Sequence, residues 1–437
     1  MPIALLALSF AAGCDRDDGG AGDARAGARS DAARPRAPVR PARETAPAVT
    51  RAGVEEHLSA LQAIADRHGG NRAAGTAGDA ASRRYVSARL REAGFRVRLQ
   101  PLRFPFFRVR SARLAADGRA LARGRDFRLL TYSGSGRVEA AGRGCARGDF
   151  RDLGRAAIAR VERGDCTFRT KALNAQRAGA AAMLLVDPAG DAEPLRGTLG
   201  APGVRIPALV LGAEAAGRLA AGQGARLAVD AVAERRLTHN VIADGPAGGG
   251  RVLMAGGHLD SVLAGPGLND NGSGVAALLE LAEALGARPG GTAVRLGFWA
   301  AEELGLYGSR HYVRGLSAAE RRRHLGYVNL DMVGSPNAVL EVYDGAHRIE
   351  RALQRALPEP APLEGLDGGS DHAPFRRAGI PVGGLFTGAS ADGPGGRPRD
   401  PCYHRRCDTI DNVDRAVLLE AARAAAAGLA SLRRQAK

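Results

Sequence analysis

The chain has 437 residues, 45% of them hydrophobic, and a formal net charge of +16 at pH 7. This length exceeds what one hydrophobic core usually supports, so it predicts two folded domains with tails. Nearly all the cations are arginines, since Lys171 and Lys437 are the only lysines, and they are scattered along the sequence. Without a basic stripe or interleaved stacking aromatics, the charge predicts a solvated surface and argues against a nucleic-acid partner.

The N-terminus has the pattern of an export signal. An apolar run from Ile3 to Ala12 is too short to span a bilayer, and small residues lead from it to Cys14. Residues 1–14 therefore resemble a bacterial lipoprotein signal peptide that ends at a lipidated Cys14. Residues 15–53 hold almost no large apolar side chain and predict a disordered linker. We expect a protein exported by a bacterium and anchored in the cell envelope, facing the periplasm or the cell surface.

Order is predicted to begin at Val54. Helical spacing predicts a helix over Val54–Arg67 and another over Ala80–Ala93, and alternation predicts a strand over Phe95–Phe107. Residues 114–233 then form a separate pattern, in which a strand, a turn at Arg163–Cys166, a helix and a second strand follow one another. This pattern predicts a small β/α unit inserted into the chain.

The motifs of that segment resemble the protease-associated domain. They are Gly148-Asp149-Phe150, Arg163-Gly164-Asp165-Cys166-Thr167-Phe168, Lys171-Ala172, Asn174-Ala175, Ala178-Gly179-Ala180 and Ile206-Pro207. In that family the cysteines corresponding to Cys145 and Cys166 can pair.

Apart from Cys14, the chain has an even set of four cysteines, Cys145, Cys166, Cys402 and Cys407, which in an exported protein predicts two disulfides. Four buried free thiols are the alternative.

From His239 onward, apolar strand patterns alternate with helical ones. Strands are predicted over 252–255, 293–299 and 326–330, with an amphipathic helix over Gly272–Leu285. This alternation predicts an α/β fold with a mostly parallel central sheet and helices on both faces. Residues 54–113 and 234–437 would form this domain and 114–233 the small β-rich insert.

Metal-type side chains stand where these strands end or helices begin, which is where open α/β sheets place their chemistry. The candidate ligands are His258, Asp270, Glu303, Asp331 and His404. A carboxylate such as Asp270 has two oxygens and can bridge two metals, although an N-cap is its ordinary role. The adjacent acids Glu302 and Glu303 would repel each other unless one of them binds a cation. If Glu303 is the metal ligand, Glu302 is free to act as a base. The alternative is that both acids lie in a solvated turn.

The loop around His404 supplies the last ligand. A short disulfide between Cys402 and Cys407 would hold His404 rigidly and aim Tyr403 at a developing oxyanion. A zinc knuckle would need partner cysteines that the sequence lacks. Asp260 lies two residues after His258, where it can orient the imidazole.

The whole set resembles metallopeptidase family twenty-eight, the di-zinc aminopeptidases, of the aminopeptidase Y and bacterial leucyl aminopeptidase type. The motifs are Asn240-Val241-Ile242, His258-Leu259-Asp260-Ser261, Asn269-Asp270-Asn271-Gly272-Ser273-Gly274, Ala301-Glu302-Glu303-Leu304-Gly305, Asn329-Leu330-Asp331-Met332, Ser370-Asp371-His372 and Asp400-Pro401-Cys402-Tyr403-His404. The resemblance implies two Zn²⁺ per chain. His258 and Asp331 would hold one, Glu303 and His404 the other, and Asp270 would bridge them. Glu302 would be the general base, Asp260 would orient His258, and Tyr403 would polarise the scissile carbonyl.

The expected activity is hydrolysis of N-terminal residues from peptides, with Leu385 and Phe386 as candidates for lining an apolar pocket. Asp371 and His372 match a motif that is not a ligand set, and Gly369 stands where some relatives present a substrate-binding side chain. A glutamate carboxypeptidase-like peptidase, a glutaminyl cyclase and a non-catalytic receptor-like module are the alternatives. The sequence leaves the oligomeric state open.

Overall fold

A computed structural model describes residues 49–435 except 117, 132–133, 189, 191–193, 196, 198, 200–201, 247–249, 286–291 and 366–367. The α-helices are α1 Arg51–Arg67, α2 Ala77–Glu92, α3 Phe168–Arg177, α4 Ala213–Arg218, α5 Gly274–Leu285, α6 Tyr307–Arg314, α7 Ala318–Arg323, α8 His347–Gln354, α9 His372–Arg377 and α10 Arg415–Gln435. The strands are β1 Arg96–Ala116, β2 Arg119–Leu121, β3 Phe127–Thr131, β4 Gly134–Ala140, β5 Ile158–Glu162, β6 Ala182–Val186, β7 Ala208–Leu211, β8 Gly224–Asp244, β9 Val252–His258, β10 Ala293–Trp299, β11 His324–Leu330, β12 Glu341–Tyr343, β13 Leu363–Glu364 and β14 Val382–Phe386.

The strands join in the order β13-β12-β14-β11-β9-β10-β8-β4-β5-β6-β7-β3, with β1 paired to β8 and β2 to β1. The strands β14, β11, β9 and β10 are parallel neighbours, flanked by antiparallel β12 and β8. In the smaller unit β4 to β7 are parallel and β3 is antiparallel. The predicted α/β fold with a mostly parallel central sheet is confirmed.

Helices cover both faces of the central sheet because alternate strand side chains point to opposite sides. On β9, Leu253 and Ala255 join the core formed with α1, α5 and α10, whereas Met254 joins a second core containing Trp299 and Tyr327. Helix α5 is buried along nearly its whole length. It is therefore a core helix and not the amphipathic helix predicted from the sequence.

A two-stranded ribbon connects the central sheet with the smaller unit. Strands β1 and β8 have 21 residues each and pair antiparallel, with β8 also pairing to β10 at one end and to β4 at the other. Their register places Phe107 opposite Ala233 and Leu114 opposite Leu227. The predicted boundaries at 113/114 and 233/234 therefore fall within continuous strands and are not opposite each other.

Helix α1 begins earlier than the sequence pattern indicated. Thr50 caps it by accepting the N–H of Gly53, and the Thr50 backbone N–H and hydroxyl donate to Glu280 on α5 at 2.7 and 2.9 Å. Val49 is also buried. This polar anchoring explains why the helix begins ahead of the first apolar helical residue, Val54, and within the segment 15–53 predicted as a linker. The predicted signal peptide 1–14, the lipidated Cys14 and residues 15–48 of the predicted linker lie outside the described residues.

A buried histidine lies between α1, α2 and α5. Nδ1 of His57 is 2.7 Å from the hydroxyl of Tyr85, and Nε2 is 3.4 Å from Glu283, which forms an ion pair with Arg89 at 2.7 Å. Burial, with a smaller contribution from Arg89, lowers the pKa of His57 to about 4. His57 is therefore neutral in the folded protein at neutral pH.

This lowered pKa predicts acid-sensitive folding. Between its ordinary value of 6.5 and about 4, His57 is protonated in the unfolded chain but neutral in the folded one. The unfolded state then binds more protons, so stability falls as pH falls, by up to about 3 kcal/mol at the acid end. We expect urea titrations at pH 7 and pH 4.5 to show a larger loss for the native chain than for His57→Gln. An equal loss in both would contradict the assignment.

No helix among the described residues combines the length and apolar character that crossing a membrane requires.

Candidate metal centre and active site

The five predicted ligands converge at the edge where the parallel strands end. Gly257 permits the close approach of β9 and β11 there, because a Cβ at this position would lie 2.3 Å from the carbonyl oxygen of Leu330. The ligands come from five elements: His258 at the end of β9, Asp270 in the turn Leu268–Ser273, Glu303 after β10, Asp331 after β11 and His404 in the loop before α10.

Asp270 lies between two histidines. Its Oδ1 is 3.1 Å from Nε2 of His258, and its Oδ2 is 3.1 Å from Nε2 of His404. Nε2 of His258 is also 3.3 Å from Oδ1 of Asp331, and Nε2 of His404 is 3.0 Å from Oε2 of Glu303. The side chains therefore form two three-residue clusters that share Asp270.

This donor set fits zinc. In a tetrahedral site with zinc–ligand distances of about 2.0–2.1 Å, neighbouring ligand atoms lie about 3.3 Å apart. The N···O separations of 3.0–3.3 Å in both clusters are close to that value. Oε1 of Glu303 is buried and has no hydrogen-bond partner among the described residues, as expected of an atom that binds a cation. Burial and repulsion by Asp270 raise the pKa of Glu303 to about 8, so a positive charge would stabilise its ionised form.

A second group of close histidine and carboxylate atoms in the described residues, His57 with Glu280 and Glu283, fits a metal less well. Thr50 already donates to Glu280 and Arg89 to Glu283. These donors satisfy the carboxylates, so the group is explained as packing between helices.

Asp260 connects His258 with Glu302. The backbone oxygen of Asp260 lies 3.0 Å from Nδ1 of His258, closer than its carboxylate Oδ1 at 3.8 Å. The same Oδ1 accepts the N–H of Glu302 at 3.1 Å. A proton held on Nδ1 leaves the Nε2 lone pair for a metal. The predicted orientation of His258 is thus provided mainly by the Asp260 carbonyl, whereas its carboxylate positions Glu302.

Glu302 lies beside the ligands on a tight turn. Burial, partly offset by His258, raises the pKa of Glu302 well above its ordinary value. Ala301 before it has a φ of 56°, in the left-handed region that costs free energy for alanine. The carbonyl of Glu302 accepts the N–H of Gly305 at 2.7 Å and that of Leu306 at 2.9 Å. These hydrogen bonds hold the backbone of Glu302, and with it the side-chain carboxylate, in one conformation.

The loop carrying His404 is closed by a disulfide between Cys402 and Cys407. Within it the rings of Tyr403 and His404 stack with centroids 3.9 Å apart, and His404 has a φ of 58°. Although burial opposes it, hydrogen bonding to Asp270 and Glu303 raises the pKa of His404 to about 10. The other disulfide, between Cys145 and Cys166, is also present, which leaves no free thiol among these four cysteines for a zinc knuckle.

The ligands line a cleft of about 480 Å³. Phe386 and Gly369 line it, as does His372, whereas Leu385 is fully buried in the core. The expectation that Leu385 lines the pocket is wrong, because successive residues of β14 point to opposite faces. Tyr403 also borders the cleft.

Sequence reasoning missed Arg72, a fully buried side chain between α1 and α2. Its guanidinium donates to the carbonyls of Leu259, Pro266 and Gly267 at 2.5–3.0 Å. Arg72 thereby holds the segment between two ligands, His258 and Asp270. A lone arginine in an arginine-rich sequence gave no signal of this role.

Ser370, which the sequence analysis quoted only as part of the motif Ser370-Asp371-His372 and assigned no role, makes a second such contact. Its hydroxyl donates to Oδ2 of Asp331 at 2.5 Å and accepts from Nδ2 of Asn329 at 2.9 Å. Asn329 in turn accepts from the hydroxyl of Tyr327 at 2.8 Å. The chain of hydrogen bonds fixes the Asp331 carboxylate from the sheet side.

Ser370→Ala tests this contact. Loss of a hydrogen bond that orients a ligand typically costs about 10–100-fold in metal affinity or activity. We expect a weaker affinity for zinc by that factor, measured by competition with a chromophoric chelator, with little change in Tm of the zinc-loaded protein. Ser82→Ala, which changes a buried serine of α2 outside the cleft lining, is the control. Equal zinc affinity in Ser370→Ala and the native chain would refute the contribution of Ser370.

Comparison with known families gives two matches. Residues 240–429 match the family model "Peptidase family M28", and residues 133–219 match "PA domain". The first range contains all five candidate ligands and Glu302, and the second contains both Cys145 and Cys166.

Individual proteins align along most of the chain. An "Aminopeptidase" of Pseudomonas aeruginosa is 34% identical over 84% of this chain and 77% of its own length. A "Probable lipoprotein aminopeptidase LpqL" of Mycobacterium tuberculosis is 38% identical over 83% of this chain and 81% of its own. Among solved structures, a zinc aminopeptidase from Bacillus subtilis superposes with a TM-score of 0.67 at 28% identity, covering 88% of this chain and 95% of that one.

Proposed function

Because the chain belongs to peptidase family M28, we propose that it is an exported aminopeptidase with two zinc ions and Glu302 as general base. The coarser assignment, a metallo-aminopeptidase with an inserted PA domain, rests on its aminopeptidase relatives and the zinc aminopeptidase fold. The observation that carries the two-zinc proposal is the Asp270 carboxylate, whose oxygens face different histidines at 3.1 Å. We assign residues 54–113 and 234–437 to the peptidase and 114–233 to the insert.

His258 and Asp331 would hold one zinc, Glu303 and His404 the other, and Asp270 both. When bound, zinc supplies Lewis-acid polarisation of a carbonyl and lowers the pKa of water in the site. The remaining steps belong to side chains of this protein.

Glu302 would move the proton. Its pKa is raised well above the ordinary value, first by burial, which brings the carboxylate nearer to the range suited to general-base work. It would take a proton from the attacking water and return it to the leaving amine. Its N–H bond to Asp260 keeps it in place during both transfers.

Tyr403 would donate a hydrogen bond to the developing oxyanion. Burial, followed by the nearby Asp270 and Glu303 carboxylates, raises its pKa, so the hydroxyl stays protonated. Its stacking on His404 restricts the ring to the border of the cleft.

The N-terminal sequence supports a proposal for the location of the enzyme. We propose lipidation at Cys14 and anchoring in the cell envelope, supported by the similarity to the mycobacterial relative, a probable lipoprotein aminopeptidase. Metabolic labelling with a radioactive fatty acid should mark the native protein in the membrane fraction and leave Cys14→Ser unlabelled. Labelling of Cys14→Ser would refute this site of attachment.

The catalytic proposal is tested with purified protein on a panel of aminoacyl nitroanilides, with zinc counted by mass spectrometry. We expect hydrolysis, greatest for apolar amino acids, that a chelator abolishes and zinc restores, with two zincs per chain. One tightly held zinc in fully active protein would contradict the two-metal site.

The alternatives give different results. A glutamate carboxypeptidase-like enzyme would cut peptides with an acetylated N-terminus, whereas an aminopeptidase should not. A glutaminyl cyclase would convert an N-terminal glutamine without releasing it. A receptor-like module would hydrolyse none of these substrates.

A further inference from the structure

A groove lined by arginines adjoins the catalytic cleft. It has a volume of about 350 Å³, and its charged lining consists of Arg310, Arg314, Arg321 and Arg377. Arg310 lines the catalytic cleft as well. The two cavities therefore meet at one side chain.

These four side chains are exposed. Over the described part of the chain none of the four forms an ion pair, and the described lining residues of the groove include no acid. Four guanidinium groups around one small groove repel one another and give a positive potential that concentrates anions. An anionic ligand would relieve that repulsion.

From this geometry, and on the basis of the proposed aminopeptidase function, we propose that the groove binds acidic side chains of the peptide substrate downstream of the scissile bond. The substrate's N-terminal residue must lie in the cleft at the ligands, so the remaining peptide has to leave across its rim. Arg310 lines both the cleft and the groove, so a peptide that leaves the cleft past Arg310 would enter the groove.

The spacing of the arginines suits an extended peptide. Arg310 and Arg314 are four residues apart on α6, which is about 6 Å along a helix axis. Alternate side chains of an extended peptide lie on one side about 6.7 Å apart. Acidic residues at alternate positions would therefore each reach one guanidinium.

The test compares three peptides: Leu-Ala-Glu-Ala-Glu, Leu-Ala-Gln-Ala-Gln and Leu-Ala-Lys-Ala-Lys. At low salt we expect kcat/KM for the Glu peptide to exceed that for the Gln peptide about tenfold, with the Lys peptide poorest. In 0.5 M NaCl the preference should largely disappear, because surface charges are screened. Equal kcat/KM values for the Glu and Gln peptides at low salt would overturn the proposal.

Variants then locate the effect. Arg314→Glu/Arg377→Glu should abolish the preference for the Glu peptide while hydrolysis of leucine nitroanilide, which has no downstream residues, stays within about twofold of native. The matched control is Arg355→Glu/Arg434→Glu, which makes the same charge change at exposed positions outside the groove and should keep the preference. A preference retained by the groove variant, or lost in the control, would overturn the assignment.

Two further outcomes separate this proposal from others. Native protein that binds phosphatidylglycerol vesicles through the groove arginines, with no peptide preference, would make the groove a membrane contact and refute peptide binding. A chain that hydrolyses none of the aminoacyl nitroanilides would refute the proposed function. Calorimetric titration with the Glu and Gln peptides would still test the groove, where equal affinities refute it and tighter binding of the Glu peptide supports it.

Discussion

Replacing Glu302 with glutamine is expected to lower kcat for leucine nitroanilide by about 10²–10⁴-fold, the usual contribution of a positioned general base. Glutamine keeps the size of the side chain and the N–H bond from residue 302 to Asp260, but it cannot accept the water proton. Because the ligand atoms belong to other side chains, the zinc count and KM should change little. Steady-state kinetics and metal analysis of the same preparation measure all three quantities.

Two control variants separate the loss of the base from a general effect of substitution. Glu359→Gln makes the same substitution at an exposed residue away from the cleft and should leave kcat unchanged. Glu302→Asp retains a carboxylate but withdraws it by one methylene, so it should recover only part of the rate. Native kcat in Glu302→Gln would show that another group moves the proton, and loss of zinc would show that Glu302 is needed for metal binding.

The architecture was predictable because its signals are local. Strands β9, β10 and β11 are short apolar runs that end at His258, at Trp299 before Glu302, and at Leu330 before Asp331. The carboxyl ends of parallel strands meet at one edge, so side chains far apart in sequence could be placed together. The same reasoning predicted that the ligands come from several elements.

The details that the sequence did not give depend on contacts between distant segments. Arg72 can donate to the three carbonyls in the segment between His258 and Asp270 only after α1 and α2 have packed against the sheet. The left-handed φ values of Ala301, Met332 and His404 are not preferences of those residue types. Each is in or next to a predicted site residue, so the surrounding packing imposes the conformation where the chemistry is placed.

Which residue of β14 lines the cleft also depends on tertiary structure. Leu385 and Phe386 are adjacent and apolar, and either could have faced the substrate. The pairing of β14 with β11 decides between them, because it turns Leu385 into the core and Phe386 toward the cleft. We therefore expect Phe386, and not Leu385, to influence which N-terminal residue is preferred.

Asp270→Asn should have the largest effect on metal binding, because Asp270 is the one residue shared by both ligand clusters. An amide has a single oxygen and no charge, so it cannot serve both clusters as the carboxylate does. We expect the variant to lose both zincs during dialysis that leaves two in the native chain. Activity should fall by more than the roughly 100-fold expected from disturbing a group that merely orients a ligand.

Substitutions in single clusters separate a bridge from an ordinary ligand. Asp331→Asn removes a carboxylate only from the His258 side, and Glu303→Gln removes one only from the His404 side. Each should lose one zinc before the other, giving an intermediate with about one zinc per chain, whereas Asp270→Asn should lose the two together. If Asp270→Asn instead held one zinc as tightly as the native chain, the carboxylate would belong to a single metal, and the shared geometry around it would have to be explained by hydrogen bonding alone.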